Sequence, residues 1–491
     1  MKENQKNKYY WGIGLENETY LQFEESLIVS GALIQEKVGY ERYSIDYRTC
    51  YKSGSLALAL EAAFDKSKNY RVSRMINSHS LDKLDLNYRH KTLAATKPAV
   101  DNPEYLGKSI LEAFLETQPY NIRSMITQKN NPMGSVNFDG DSIEFVTKYF
   151  ENRTVSDSCD ELKATKQLFI DKLNESAVLK GKLNFPNYNI GLNMFMSNQE
   201  NLVLFNNGTY HFHLTLPTLT ENSRIVDYPE FDTKHSNAIY LLQWFEPFFI
   251  ATLGSPDIMD TISKKFHLKE KFASGSMRNA MSRYTGVGTF NKAMAKGKVL
   301  TYSVEEFRKL LKFDKEENIW WRDQVESELS YELLADIGLD FNQEKMYQSG
   351  FEFRSFDEFP ASYLNDVLLA IILICEHSLN LPNVTWGHDS IVWNNLVFKS
   401  LKHGYLTEIT DEEKKAVLDL LQLDSFKTEF DSIGKLDAFF FKILEILHDK
   451  YKDENTCIDS MLGQKMSSAP KWNNFNKYQV EQHVKQIEGV E

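Results

Sequence analysis

Cysteine is scarce in this chain: 491 residues hold four, Cys50, Cys159, Cys375 and Cys457, widely spaced and with no Cys-x-x-Cys pair. That spacing indicates neither a zinc knuckle nor a disulfide framework, and reduced thiols in a cytoplasmic protein fit it best. Positive charge is also short. Lys and Arg number 56 against 69 Asp and Glu, a formal net charge of -13 with no long basic run. Neutralising phosphates takes a dense basic surface, so the balance disfavours a general nucleic-acid binder.

Long apolar runs are missing as well. AIYLLQWFEPFFIATL (238–253) and VLLAIILIC (367–375) are too short or too interrupted for a bilayer that needs about 20 apolar residues, and they read as buried helices rather than membrane spans. The start, MKENQKNKYYWGIG, carries the charge of a signal peptide's first segment with no apolar stretch behind it, so secretion is not expected. The Asn-x-Ser/Thr triplets at Asn17, Asn152, Asn174, Asn207 and Asn383 then read as coincidental. The 12 prolines are scattered, and no linker, repeat or low-complexity tract marks a domain boundary. A phosphate-binding GxxxxGK[ST] loop is absent, and the later KGKV lacks both the hydroxyl and the upstream spacing.

What is present is an ordinary globular composition, 42% hydrophobic and 25% charged, with 32 Phe and 24 Tyr. The length allows roughly two to four domains, or one large enzyme domain. Alternating apolar and polar residues predict strands at 12–23, 143–147, 209–217 and 351–356. Helical patterning is expected at 160–179, with Asp157 or Ser158 as its cap, and at 236–254, 303–313, 361–380, 411–422 and 433–449. From Lys465 onward the chain is polar and is expected to be poorly ordered. The mixture predicts an α+β fold with an antiparallel sheet.

Side chains two apart on a strand share a face and lie about 7 Å apart. In GIGLENETYLQF this puts Ile13, Leu15, Leu21 and Phe23 on one face and Glu16 and Glu18 together on the other. Taken alone, such a pair is more often solvated than functional. TYHFHLTLP sorts Phe212, Leu214 and Leu216 from His211 and His213, two imidazoles on one strand face. FEFRSF sorts Phe351 and Phe353 from Glu352 and Arg354, and SIEFVT sets Glu144 against Ile143 and Phe145.

Four apolar-backed strands offering Glu, His and Arg imply one lined cavity. Its oxygen-rich ligand set suits Mg²⁺ or Mn²⁺, and phosphate chemistry would follow naturally from such ions. ASGSMRNAMSRYTGVGT (273–289) adds Arg278 and Arg283 in a Gly/Ser-rich context able to meet an anion, although in isolation an ordinary surface loop is the favoured reading.

These segments, in this order, resemble the glutamine synthetase-like carboxylate-amine ligases, most nearly the glutamate-cysteine ligase branch. GLENETYLQFE is similar to that family's first acidic strand. DSIEFVTKYFENRTVSDSCDELKATKQLFIDKL resembles its Glu-x-x-Thr strand and following helix, and GTYHFHLTLP its Gly-x-x-His strand. LLQWFEPFFIATLGSPDI resembles the helix ending in a Ser-Pro turn, SGSMRNAMSR the Ser/Arg-rich loop, and FEFRSFDEF the late Glu-x-Arg strand. After about residue 400 only IVWNNLVFKSLKHG (391–404) bears a vague likeness, and no complete glutamate-binding set can be matched.

The resemblance implies a large curved antiparallel sheet forming a catalytic funnel with helices packed outside. It implies a catalytic domain at 10–400, a helical extension at 401–464 and the polar tail at 465–491. It implies that Glu16, Glu18, Glu144, His211 and Glu352 bind divalent ions around ATP phosphates, with Glu18 and Glu144 facing substrate. His213 would lie toward the nucleotide, and Arg354 with Arg278 or Arg283 would stabilise the transferred phosphoryl group. The implied reaction joins a glutamate-like acid to an amino-acid-like amine through an acyl phosphate. A guanidino kinase-like phosphotransferase, or a non-catalytic nucleotide-binding protein on the same scaffold, are the alternatives.

Overall fold

A computed structural model describes residues 8–37, 53–76, 110, 134–139, 142–175, 179–187, 191–196, 202–205, 208–222, 224–268, 274–280, 290–291, 297–298, 341–342, 350–385, 387, 390–453 and 456–490. In chain order the strands are β1 (Lys8–Thr19), β2 (Leu21–Phe23), β3 (Leu27–Ser30), β4 (Asn69–Ile76), β5 (Val136–Asp139), β6 (Ser142–Val146), β7 (Leu183–Asn184), β8 (Gly191–Phe195), β9 (Leu202–Phe205), β10 (Gly208–Glu221), β11 (Arg224–Ile225), β12 (Phe290–Asn291), β13 (Gly297–Lys298), β14 (Phe341–Asn342) and β15 (Phe351–Asp357).

Two sheets result. The larger runs β13-β12-β14-β15-β10-β1-β6-β5, with β11 on β10, and its pairings are antiparallel apart from β12 with β14. The smaller runs β7-β2-β4-β8-β9 with β3 on β4. The fold is therefore mixed α and β with antiparallel sheets, as the sequence predicts. Tyr20 alone separates β1 from β2, so the chain passes from one sheet straight into the other.

The four predicted strands fall on β1 with β2, β6, β10 and β15. Their apolar phase is the core: Ile13, Leu15, Phe145, Phe212, Leu214, Phe351 and Phe353 are all at most 1% exposed. Helix Tyr228–Leu253 packs on this side, its Phe249 ring 5.1 Å from Phe356 and 6.0 Å from Phe353. Phe440 of helix Leu436–Tyr451 covers Phe249 from behind at 5.3 Å. Such edge-on aromatic contacts add specificity to the burial of large apolar area.

Helix Tyr228–Leu253 starts where Asp227 accepts from the Glu230 N–H, and Pro229 sits in its first turn, where no donor is required. Leu241 to Leu253 are buried all round, which explains a segment apolar on every face. Among the described residues one stretch, Ala361–Leu379, has the length and composition to cross a membrane, and 67% of it is buried inside the protein. Cys159 and Cys375 are buried free thiols.

Several boundaries differ from expectation. The helix predicted at 160–179 is Val155–Asn174, because Thr154 caps it and forms a reciprocal capping box with Asp157. Within it Leu168 is 45% exposed, whereas Lys166 is buried. The boundary expected after residue 400 falls inside helix Ile391–His403. The polar tail is corrected too. Residues Phe475–Glu488 form a helix with Asn476, Gln479 and His483 fully buried. The Asn476 amide nitrogen reaches the carbonyls of Gly254, Ser274 and Gly275 at 2.8–2.9 Å, so a largely polar sequence is docked through hydrogen bonds as well as through buried Phe475 and Ile487. The helix expected at 303–313 lies outside the described residues.

Candidate metal centre

β1 lies between β10 and β6, and its register decides what its acids meet. Glu16 stands opposite His211 and Val146, while Glu18 stands opposite Thr209 and Glu144. On the far side of β10, Glu352 of β15 stands opposite His213. Two glycines permit this closeness. A Cβ at Gly14 would sit 3.1 Å from the His213 Cβ, and one at Gly208, whose φ is +148°, would sit 2.0 Å from the Glu18 carbonyl oxygen.

The side chains converge. His211 Nδ1 is 3.0 Å from Glu16 Oε2 and 3.1 Å from Glu352 Oε1, with Glu18 Oε1 at 3.9 Å. His213 Nε2 is 2.9 Å from Glu16 Oε1 and 3.8 Å from Glu352 Oε1. Arg354 Nη1 donates to both oxygens of Glu352 at 3.0 and 3.2 Å. Farther along the sheet Asn137 of β5 donates to Glu144 Oε2 at 2.8 Å. Arg278 is buried beside His211, its Nη2 3.3 Å from His211 Nε2 and its Nε donating to the Arg354 carbonyl at 2.6 Å.

Seven of the eight expected site residues within the described chain therefore gather around Glu16 and Glu352, and Glu144 flanks them across from Glu18. Arg283 lies outside the described residues. Four carboxylates, Glu16, Glu18, Glu144 and Glu352, meet two guanidinium groups on one sheet face. Carboxylate oxygens gathered in this way are the donor chemistry of a hard divalent cation.

The donor set fits one. Glu16, His213 and Glu352 each offer a ligand atom, all within 4.8 Å of one another. Around an ion with bonds of about 2.1 Å, neighbouring ligand atoms lie about 3 Å apart and opposite ones about 4.2 Å. The 2.9 and 3.8 Å separations from His213 Nε2 fall inside that range.

No protein-family model matches the chain. A curated relative does: Uncharacterized protein R704 of Acanthamoeba polyphaga mimivirus is 33% identical over 490 residues, spanning 98% of this chain and 81% of the viral protein. The chain belongs to that protein's family. The mimivirus protein's name states no activity, so the function of this family member is argued from its site.

In this member of the mimivirus protein's family, the reverse of the same sheet carries polar residues that motif reasoning missed. Asn17, between the two acids on β1, faces the core and donates to Glu358 Oε2 at 2.8 Å and the Thr209 carbonyl at 3.0 Å. Lys166 donates to Asn17 Oδ1 and lies 3.9 Å from Glu358 Oε1. Its ammonium group sits 4.4 Å from the Phe185 ring centroid. Burial lowers the Lys166 pKa and raises that of Glu358 to about 7. Asp357 next door is raised to about 6 by burial, despite accepting from Ser276 Oγ and the Ser255 N–H. The one sequence signal was Asn17 itself, an amide in the apolar phase of β1.

Proposed function

We propose that this protein is an ATP-dependent carboxylate-amine ligase that uses Mg²⁺ or Mn²⁺, with the polar face of the larger sheet forming a glutamine synthetase-like funnel. One observation carries the reading: Glu16, His213 and Glu352, from three adjacent strands, present ligand atoms within 4.8 Å beside further carboxylates and buried arginines. The family resemblance of the motifs supports it, because its acidic, Gly-x-x-His and Glu-x-Arg strands supply this same face.

Within this reading Glu16, His213 and Glu352 hold the ion, and Glu18 with Glu144 extends the acidic surface along β1 and β6. A bound divalent ion supplies charge neutralisation for ATP phosphates and for the phosphoryl group in transfer. Arg354 fixes the Glu352 carboxylate by donating to both its oxygens, and its guanidinium adds positive charge where phosphate charge gathers. A substrate carboxylate attacks the γ-phosphorus and ADP leaves. The amine then displaces phosphate from the acyl phosphate to form an amide. The acid, of glutamate-like chemistry, and the amino-acid-like amine belong to the proposal, as does a γ-glutamyl product.

The test is ATP turnover with Mg²⁺ across a panel of amino-acid acids and amines, with products weighed by mass spectrometry. A ligase product is the acid plus the amine minus water, and ADP and phosphate appear only when both substrates are present. Glu352→Gln and Glu18→Gln are expected to abolish turnover in folded protein. A phosphorylated acceptor would instead make the protein a guanidino kinase-like phosphotransferase, and absence of metal-dependent ATP binding would make it a non-catalytic scaffold.

A further inference from the structure

Strand β15 breaks its own alternation. Phe351 and Phe353 are core residues two apart, yet the next large core side chain on the strand is Phe356, its ring 4.9 Å from those of Phe353 and Phe212. The register shows where the extra residue goes. Phe353 pairs with Phe212 and Phe356 with Tyr210, so Arg354 and Ser355 together stand across from His211. Such a β-bulge disrupts the ladder locally and re-aims a side chain. The side chain here is Arg354, whose Nη1 donates to both Glu352 oxygens.

Buried carbonyls at a disrupted ladder need other donors. Two consecutive residues of the helical turn at 277–280 supply them: Arg278 Nε donates to the Arg354 carbonyl at 2.6 Å, and Asn279 Nδ2 donates to the Ser355 carbonyl at 2.7 Å. Ser276 fixes the turn in its place. Its hydroxyl accepts from the Asn279 N–H and from Asn279 Nδ2, both at 3.0 Å, and donates to Asp357, which uses its one donor and two acceptor positions. Asn279 is 2% exposed and its Oδ1 makes no hydrogen bond, so the side-chain amide is held through its nitrogen.

We propose that Asn279 is a positioning residue for the nucleotide phosphates. By holding the Ser355 carbonyl it fixes the bulge, and the bulge sets the direction in which Arg354 presents its guanidinium. Without that bond the Ser355 carbonyl is left buried and short of a donor, and rotation of the bulge to relieve it carries Arg354 along. The inference rests on the ATP site of the proposed function and extends it to a residue that works only through another.

Binding of Mg·ATP to the full chain is followed by calorimetry. Asn279→Ala should weaken it about 10–100-fold, the scale on which residues supporting a binding group act. The deciding comparison is a double-mutant cycle with Arg354→Ala. In that background Asn279→Ala should alter the Kd by less than about 2-fold, because the group it aims is gone. A loss that persists in the Arg354→Ala background would reveal general damage to the fold and overturns the proposal, as does an unchanged Kd in folded Asn279→Ala.

Should the Arg354→Ala background bind too weakly to titrate, Arg354→Lys takes its place. If Asn279→Ala does not fold, Ser276→Ala, which frees the Asn279 amide, is put through the same cycle with the same two outcomes. Wild-type protein that binds no Mg·ATP sinks the ligase reading as well, whereas the results from the variants bear on the role of Asn279 alone.

Discussion

The two faces of the larger sheet both carry buried polar side chains, and they differ in how those groups are spaced. Behind the sheet, Lys166 meets Glu358 and Asn17, one cation for one acid with an amide joining them. In front, among the described residues, Glu16, Glu18, Glu144 and Glu352 share a face with His211, His213, Arg278 and Arg354. The rear cluster joins one acid to one cation, whereas the front brings acids and an imidazole together with ligand atoms within 4.8 Å of one another. What sets the front apart is the spacing of its ligand atoms, not buried polarity as such.

The contrast can be broken most forcefully at Lys166. Lys166→Ala leaves Glu358 buried with only neutral partners, Asn17 and Thr19, and a loss of about 3–5 kcal/mol is expected from urea unfolding. Lys166→Met combined with Glu358→Gln should recover much of it, since an apolar stem and a neutral amide need no counter-charge. A cost under about 1 kcal/mol for the alanine variant would show that the rear cluster does not hold the sheet together.

A smaller effect is expected from pH at Asp357, the acid adjoining the rear cluster. Its folded pKa is raised from 3.8 to about 6, so the native state binds the proton more tightly than the unfolded chain does. Its stabilising contribution is complete below the unfolded value of 3.8 and is lost as pH rises through about 6. At about 1.4 kcal/mol per unit the loss comes to about 3 kcal/mol. Urea midpoints of wild type and Asp357→Asn, compared between about pH 4 and pH 7.5, should diverge in that direction, with the wild type losing more. Parallel curves would contradict the raised pKa.

On the front face Glu16→Gln should reduce Mn²⁺ affinity at least 100-fold, or about 2.7 kcal/mol, measured calorimetrically. Stability should change little, because the amide oxygen still accepts from His211. A variant that binds Mn²⁺ normally would remove Glu16 from the ligand set. The smallest effect is expected at Thr154→Ala, which removes the cap of the helix that carries Lys166. That should cost about 1 kcal/mol of stability with Mn²⁺ affinity unaltered. A large loss of metal affinity there would show that the two faces are coupled through this helix.

Much of this was legible in the sequence where the physics is local. Alternation along GIGLENETY and TYHFHLTLP separated Glu16 and Glu18 from Leu15, and His211 and His213 from Phe212, because strand geometry fixes the side of every second residue. The long helix ending at Leu253 was similarly readable from its apolar run. The C-terminal helix was not, since Asn476 docks by reaching three carbonyls more than 200 residues away in sequence. Lys166 was equally hidden: a lysine on an amphipathic helix ordinarily faces water, and only the packing of Phe145, Phe185 and Tyr210 around it shows otherwise.

The sequence alone determined which side chains share a strand face and that acids, imidazoles and an arginine occupy the polar ones, for the repeat of a strand is a property of neighbouring residues. Cross-strand register was decided by the tertiary structure, which sets Glu16 beside His211 and Glu352 beside His213. It also decided which imidazole meets Arg278. Arg278 lies 67 residues from His211 along the chain, and no periodicity relates them. Their contact exists because the helical turn holding Arg278 is pinned to β15 through Asp357 and the Arg354 carbonyl, a juxtaposition that only the fold creates.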